Sequence, residues 1–204
     1  MARVNCNDKN EEKNVMRNFS IALFAVLALN VSAQGISKVS VLPDNTQVIS
    51  TTMCRYAKAS GLFGKSHKIG MSYITFSTRE STYAIILPLS TDHYITMPAG
   101  KRAYLTQANG NTMTLENVHN VYREDNNRSL DDKYTIYPEY AVTPEQISTL
   151  SMSEVIAIKL ETDIPGEFYE VNREDFQREW MFNKYLQQCH NVLVWKLAEL
   201  GQGH

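Results

Sequence analysis

Residues 59–66 fit a relaxed phosphate-binding loop, with Ala59 in place of the first glycine and with Gly64, Lys65 and Ser66 in the last three positions. In such a loop, backbone N–H groups, the lysine and the hydroxyl hold the phosphates of a nucleotide. That chemistry requires the loop to open a helix, because the amides at the helix N-terminus complete the anion site. The residues after Ser66, among them Ile69 and Met71, follow a strand pattern instead. We therefore interpret residues 59–66 as a glycine-containing hairpin loop.

Residues 125–132 place oxygen-bearing side chains at alternate positions, as a calcium-binding loop does. The pattern fails at two positions that such a loop requires. Leu130 stands where the sharp turn needs glycine, and Ile136 stands where a bidentate glutamate is needed. Arg128 would also repel a cation. We interpret this segment as a solvated turn.

Neither the histidines nor the cysteines show the spacing of a metal or nucleophile site. The histidines beyond residue 33 are His67, His93, His119, His190 and His204. They form no paired zinc-ligand motif, and the chain has no Gly-x-Ser-x-Gly elbow. No local motif surrounds Cys54 or Cys189. The sequence therefore assigns no catalytic residue, no metal site and no cofactor.

Acidic residues surround the Pro165-Gly166 turn, namely Asp163, Glu167 and Glu170. Paired carboxylates of this kind act as acid and base in glycosidases, although acidic residues at a turn are ordinarily just solvated. Tyrosines are a second candidate, because aromatic faces stack on sugars. Alternation along a strand would place Tyr134 and Tyr140 on one side and Tyr137 on the other, so the three do not form one platform.

Short runs rich in Val, Ile, Thr and Tyr fill residues 35–142 and predict consecutive antiparallel strands. The predicted strands cover residues 47–56, 67–77, 81–89 and 133–142, with a turn at Arg79-Glu80 and a loop at residues 123–132. The clearest hairpin covers residues 103–117. Its Asn109-Gly110 pair favours a two-residue type I′ turn.

The hydrophobic period changes after residue 142. Thr143, Pro144 and Gln146 form a capping pattern that predicts a short helix ending near Leu150. Strands are predicted at residues 154–161 and 168–171. Asn172 is predicted to cap a long C-terminal helix that ends at Gly201. The apolar stripe of that helix consists of Phe182, Leu186, Cys189, Leu193, Leu197 and Leu200.

This stripe has two interpretations. In the first it packs onto the sheet. In the second, part of it docks a partner or another copy of the chain, with help from Trp180 and Trp195.

Residues 16–33 have the features of an export signal, with a positive start at Arg17, an apolar run over residues 19–29 and small side chains up to Ala33. The apolar run is about half of the roughly 20 residues that a membrane-spanning helix needs, so we expect cleavage rather than anchoring. Translation can begin at Met1 or at Met16. Residues 1–33 are thus expected to be a polar leader with a signal peptide, and residues 34–204 a single globular domain without a membrane span.

The net charge limits the class of partner, and the cysteines limit the disulfides that can form. The chain has 20 Lys and Arg residues and 22 Asp and Glu residues, a net charge of −2, with no basic cluster. Nucleic acid is therefore not an expected partner. Cys54 and Cys189 can form one disulfide in an exported protein, or remain buried thiols.

The chain resembles small exported proteins of Bacteroidota that have no assigned function. The resemblance rests on residues 16–34, the Asn109-Gly110 hairpin, and residues 140–151 leading into residues 156–160. It implies a periplasmic or secreted location and a β-rich domain, and transfers no catalytic residue.

The sequence as a whole predicts an α+β fold, mainly antiparallel sheet, with a short helix and a long C-terminal helix packed on it. The expected function is a non-enzymatic interaction module for a protein or a cell-envelope component, with glycans as another ligand class. The alternative is a hydrolase of glycan or peptide whose site is assembled from distant residues.

Overall fold

The computed structural model describes residues 35–42, 44–58, 66–91, 94–122, 134–176 and 180–201, without the side chain of Tyr134. All of them belong to one compact unit, Gln34–His204. The strands are β1 (Ile36–Val41), β2 (Gln47–Thr51), β3 (Cys54–Lys58), β4 (Ser66–Thr75), β5 (Ser81–Ile86), β6 (Leu89–Thr91), β7 (Arg102–Gln107), β8 (Thr112–Glu116), β9 (Tyr134–Ile136), β10 (Glu139–Val142), β11 (Val155–Glu161) and β12 (Phe168–Asn172). The helices are α1 (Pro144–Met152) and α2 (Phe182–Glu199), with a 3₁₀ turn at Arg173–Phe176.

The largest sheet has six antiparallel strands, in the order β1-β2-β4-β5-β10, with β3 also paired to β4. The predicted strand over residues 47–56 is confirmed in its course, but it is divided at Thr52 and Met53 into β2 and β3, and β3 continues to Lys58. The long strand β4 pairs with β2 through its second half and with β3 through its first half. Both segments run antiparallel along β4, and the register shifts by one residue between the Ser50–Ser72 and Cys54–Ile69 pairs, so a bulge at Thr52 and Met53 divides the strand.

A four-stranded sheet has the order β12-β11-β7-β8, and β6 pairs with β9 in a small third sheet. Two predicted strands are each divided by a proline. Pro88 separates β5 from β6, and Pro138 separates β9 from β10. Proline has no N–H for the ladder, which explains both breaks. Strands β11 and β12 confirm the predictions for residues 154–161 and 168–171.

The predicted hairpin over residues 103–117 is confirmed as β7 and β8, but its turn differs from the prediction. Gly110 has a positive φ of 86°, whereas Asn109 does not. Gly110 N donates to Gln107 O at 2.9 Å, and Gln107 N donates to Asn111 O at 2.8 Å. These bonds define a three-residue loop with a left-handed third residue rather than a type I′ turn.

The same loop closes two other hairpins. Asn45 between β1 and β2 has φ 65°, and Arg79 between β4 and β5 has φ 71°. Arg79 N donates to Phe76 O, and Phe76 N donates to Glu80 O, each at 2.8 Å. The predicted turn at Arg79-Glu80 is therefore confirmed.

Helix α1 begins as its sequence predicts. The Gln146 N–H donates to the Thr143 hydroxyl at 3.2 Å, and the Thr143 N–H donates to the Gln146 side chain at 2.8 Å. Pro144 occupies the first turn, where its missing N–H costs nothing. The capping box is confirmed, and the helix continues to Met152.

The predicted cap of the long helix at Asn172 is wrong. Asn172 ends β12, and α2 begins only at Phe182. The intervening residues turn their aromatic rings inward: Phe176 is buried, and the Trp180 indole N–H donates to Val155 O at 2.5 Å. Burial of these rings outweighs continuation of a helix from Asn172.

Helix α2 packs its apolar stripe onto the sheets, as the sequence predicts. Its buried residues are Phe182, Leu186, Cys189, Val192, Leu193 and Leu197. Leu200 is exposed, so this end of the predicted stripe is wrong. Gly201, with φ 68°, follows the helix as predicted. Trp195 lies on the outer side of α2 and is 67% exposed.

The main core lies between the sheets and the helices. The six-stranded sheet contributes Ile49, Met71, Ile85 and Tyr140, and the four-stranded sheet contributes Leu105, Leu115, Ile158 and Val171. The fold is thus α+β and mainly antiparallel, as predicted. Within the described part of the chain, no helix has the length and apolar content that a membrane crossing needs.

Candidate functional site

The six-stranded sheet has a second face, opposite the one that packs against α2. Strand register places Lys38, Ser50, Ser72 and Ala84 in one row across β1, β2, β4 and β5. Successive side chains alternate between faces, and Met71 and Ile85 belong to the main core, so this row faces away from the main core. Ser72 and Ala84 are nevertheless fully buried, because Val48, Ile74 and Ala84 form a small second cluster on this side, packed against Phe76 and Val118. Its polar residues lie on the side of the sheet that α2 leaves open.

Glu139 stands on the same open face, at the start of β10. It is in register with Ile86 of β5, which is in register with Gly70 of β4. The small side chain of Ala84 stands between β10 and Ser72, and the Glu139 carboxyl lies beside the Ser72 hydroxyl. A long acidic side chain therefore reaches across the open face.

The chain after β8 crosses this face and covers Glu139. Val118 N donates to Glu139 O at 2.8 Å, and Val121 exchanges two backbone hydrogen bonds with Met97. Asn117 is buried, and its Oδ1 accepts a hydrogen bond from Glu139 N at 3.1 Å. The segment 117–122 is thereby fixed against the start of β10.

A cleft of about 570 Å³ lies beside this segment, and we call it the sheet-face cleft. Its volume falls within the usual range of small-molecule sites. Most of its polar side chains are uncharged: Ser37, Ser40, Ser50, Asn120 and Thr135. The ionisable groups at its described wall are Lys38, His119 and Glu139, together with the hydroxyls of Tyr122 and Tyr137.

Glu139 is the group in this cleft with an altered acidity. Burial raises the pKa of its carboxyl above the ordinary value of 4.5, while His119, Ser72 and Lys38 partly oppose the rise. Glu139 Oε2 and Ser72 Oγ are both buried and lie beside each other, but neither completes a well-formed hydrogen bond with a described residue; Asp163 Oδ1 is a third such atom, away from the cleft. Buried polar atoms are ordinarily bonded, so the Glu139–Ser72 pair marks this cleft as a candidate site.

The arrangement limits the chemistry that the cleft can perform. A carboxyl of raised pKa can donate a hydrogen bond when protonated and accept one when ionised. Hydrolysis of a glycoside needs a second carboxylate, and Glu139 is the one acidic residue among the described cleft residues. No group of three or more His, Cys, Asp or Glu side chains among the described residues is placed to hold a metal ion.

The acidic residues of the Pro165-Gly166 turn do not line the sheet-face cleft. Asp163 Oδ2 accepts hydrogen bonds from the hydroxyl and the N–H of Thr96, at 2.7 and 3.2 Å. Glu170 pairs with Lys159 at 3.0 Å on the exposed face of the four-stranded sheet. Asp163 and Glu170 therefore have structural partners, although Asp163 Oδ1 completes no hydrogen bond with a described residue. The structure brings none of Asp163, Glu167 and Glu170 to the cleft.

The tyrosine candidates separate as well. Tyr140 is fully buried and cannot stack on a ligand, because β10 turns it into the core. Tyr137 is exposed and lines the cleft, together with Tyr122, which the sequence had not singled out. Tyr137 and Tyr140 therefore lie on different sides, as the alternation predicted, although Pro138 separates β9 from β10.

The described histidines occupy three different environments. His67 is buried among the rings of Tyr56, Tyr169 and Phe176. His190 lies against Tyr83, and burial lowers its pKa. His119 alone of the three lies at the cleft.

Several other predictions fall outside the described residues. They concern the export signal at residues 16–33, the starts at Met1 and Met16, His93 and His204, and the loop at residues 123–132. Residues 59–65 also lie outside, but Ser66 begins strand β4, as the rejection of a phosphate-binding loop requires. Cys54 is partly exposed and Cys189 is buried, and no disulfide joins them.

A second hollow lies where β11 meets the end of β12, lined by Arg173 and Asp175 among others. Arg173 already pairs with Glu154 at 2.6 Å. The buried, unpartnered polar atoms found among the described residues lie elsewhere. The sheet-face cleft is therefore the better candidate.

No family model, curated protein or solved structure matches the chain. The candidate site therefore rests on the geometry given above.

Proposed function

We propose that the protein is an exported, non-enzymatic binding module whose ligand occupies the sheet-face cleft. The observation that carries this proposal is the buried Glu139 Oε2 at the wall of the cleft, beside which the Ser72 hydroxyl is the only described side-chain donor and does not complete a well-formed hydrogen bond. A ligand that supplies the missing hydrogen bond would recover the free energy that an unsatisfied buried group costs.

Export is part of the proposal because residues 16–33 read as a signal peptide. We place the protein in the periplasm or outside the cell. Its ligand would then be a protein or a component of the cell envelope.

Binding is favoured over hydrolysis by the composition of the cleft. Glu139 could act as a general acid, because burial raises its pKa. A hydrolase would also need a base or nucleophile within reach. Lys38 and His119 are both exposed, and among the described residues no hydrogen bond orients either side chain toward Glu139.

The test is an NMR titration of the ¹⁵N-labelled full chain with pools of neutral oligosaccharides, amino acids and short peptides. We expect one pool to cause saturable shifts at Lys38, His119 and Tyr137 without being consumed. Glu139→Ala should weaken that binding, and Trp195→Ala, on the outer side of α2, should leave it unchanged. Shifts confined to other surfaces, or none, would refute the cleft as the site, and consumption of the compound would establish the hydrolase instead.

A further inference from the structure

The hydrogen-bonding groups of the sheet-face cleft are mainly small hydroxyls. Ser37, Ser40 and Ser50 come from β1 and β2, and Thr135 comes from β9 on the other side. Each hydroxyl can donate and accept. Ser37 Oγ already donates to Ser50 O and Thr51 O, at 3.2 and 2.9 Å, and the Thr135 and Ser90 hydroxyls bond to each other at 2.8 Å, so each keeps acceptor capacity. A ligand that carries many hydroxyls can use this capacity and the hydroxyls of Ser40 and Ser50, which a purely apolar ligand cannot.

Two large aromatic side chains lie at the same cleft and face water. Tyr122 is 61% exposed and Tyr137 is 44% exposed. Tyrosine supplies a flat apolar face and a polar tip with little loss of conformational freedom. Rings of this kind can cover the C–H faces of a sugar while the cleft hydroxyls bond its edge.

The cleft carries charges of both signs, so it does not select a ligand of one charge. An anion would be attracted by Lys38 but repelled by the Glu139 carboxylate, and a cation would meet the reverse, since Lys38 lies near enough to lower the Glu139 pKa. A neutral ligand avoids both repulsions. Glu139 Oε2 still offers it one strong hydrogen bond in a position where water is partly excluded.

We infer that the ligand is a neutral, hydroxyl-rich glycan segment, which hydrogen-bonds to Glu139 and stacks on Tyr122 and Tyr137. This inference rests on the proposed binding function and names its ligand class. In the proposed complex, the serine hydroxyls of β1 and β2 form hydrogen bonds with the edge of the sugar. Lys38 and His119 lie at the rim of the sheet-face cleft.

The experiment is isothermal titration of the full chain with maltotriose, cellotriose and tri-N-acetylchitotriose as neutral probes. Trigalacturonate, trilysine and dialanine serve as anionic, cationic and zwitterionic probes. We expect saturable binding to at least one neutral trisaccharide. Tyr122→Ala and Tyr137→Ala should each weaken it about tenfold.

Two variants separate stacking and hydrogen bonding from general damage. Tyr94→Ala removes a tyrosine that is 58% exposed but does not line the cleft, and should leave binding unchanged. Glu139→Gln keeps one acceptor and adds a donor, so it should bind better than Glu139→Ala. Circular dichroism and thermal unfolding confirm that each variant is folded.

The outcomes separate the inference from the proposed function. Binding of a charged or zwitterionic probe alone, sensitive to Glu139→Ala, would overturn the glycan and leave the binding module standing. An equal loss of affinity in Tyr94→Ala and Tyr137→Ala would show that the sugar binds non-specifically to exposed tyrosines. That result would overturn the proposed stacking in the cleft. Absence of binding by every probe would overturn the inference, while the NMR pools still test the function.

Discussion

The buried Asn117 side chain bonds to the backbone of Glu139 and thereby positions one wall of the cleft. Its Oδ1 accepts from Glu139 N at 3.1 Å, while its Nδ2 donates to the carbonyl oxygens of Met97, Pro98 and His119 at 3.2, 3.1 and 2.6 Å. One amide thus joins β10, the segment before β7 and the segment 117–122.

Asn117→Ala should therefore be severely destabilising. It leaves several backbone groups without a partner, and the expected loss in the free energy of unfolding is about 3 kcal/mol. Urea unfolding measures it. Asn120→Ala is the control, because Asn120 is exposed and accepts one bond, from Ala99 N at 2.9 Å; its loss should be within about 1 kcal/mol. Similar losses in the two variants would contradict the role given to Asn117.

Glu139 should make stability fall as pH rises. Burial raises the pKa of the folded carboxyl above its ordinary value of 4.5, with His119, Ser72 and Lys38 opposing. Between pH 4.5 and the raised pKa, the folded chain keeps a proton that the unfolded chain has released. Raising the pH in this range therefore favours the unfolded chain, and the fall in stability ends once the pH passes the raised pKa. The measurement is the free energy of unfolding of the wild type and of Glu139→Gln at a series of pH values. The wild-type value minus the variant value should fall as the pH rises above 4.5.

Glu161 provides a control of opposite sign for this pH dependence. The hydrogen bond from the Tyr104 hydroxyl, at 2.7 Å, lowers the pKa of the Glu161 carboxyl. Its contribution is present above pH 4.5 and is lost as pH falls through the lowered pKa. The difference between wild type and Glu161→Gln should therefore rise with pH, and equal slopes for both variants would exclude the burial argument.

Gly70 should be needed for the shape of the cleft. A Cβ at this position would lie 2.5 Å from the Met53 Sδ. Methionine is flexible, so Gly70→Ala should cost about 1 kcal/mol in unfolding free energy while it displaces Met53 at the cleft wall. In a double-mutant cycle, Gly70→Ala should cost much less unfolding free energy in the Met53→Ala background than in the wild type. Additive effects would contradict the contact.

Arg79→Gly should stabilise the protein. Arg79 adopts a left-handed conformation that glycine adopts without strain, and the expected gain is about 0.5–1 kcal/mol after the extra backbone entropy of glycine. Guanidinium unfolding measures the gain. Asn45→Gly is the matched control, because asparagine tolerates this conformation, so its effect should be smaller. An equal gain at both positions would contradict this explanation.

The capping box of α1 gives a prediction of local stability. Thr143→Ala removes the hydroxyl that accepts from Gln146 N, and should cost about 1 kcal/mol. Thr149→Ala is the control inside the same helix, where alanine is the better helix former, so no loss is expected. Thermal unfolding compares the two, and an equal loss would argue against the cap.

Local signals predicted much of the fold. The cap at Thr143 and the alternation of β11 depend on neighbours in the chain, and both were predicted. The failures depend on distant contacts. Asn172 had the residue type of a cap, but Phe176 is buried and Trp180 partly buried, and residues 173–176 form a 3₁₀ turn instead of starting the α-helix.

The site itself was not predicted. Glu139 precedes two core residues of β10 in an ordinary alternating pattern, and nothing near it in the sequence signals burial. Its environment is formed by Asn117 and the segment that Asn117 holds, about twenty residues earlier in the chain. The sequence analysis examined Asp163 and Glu170, because they lie close together in the chain. It missed Glu139, because the residues that surround this carboxylate are distant in the chain.

The two tryptophans lie in different environments, so the intrinsic fluorescence of the protein can report on its structure. Trp195 faces water in the folded chain, so its fluorescence should change little on unfolding. The Trp180 indole is held against β11 by its bond to Val155 O, so its emission should shift to the red when that contact opens. In a Trp195→Phe chain, the emission wavelength would report at a single position whether the segment leading into α2 is docked.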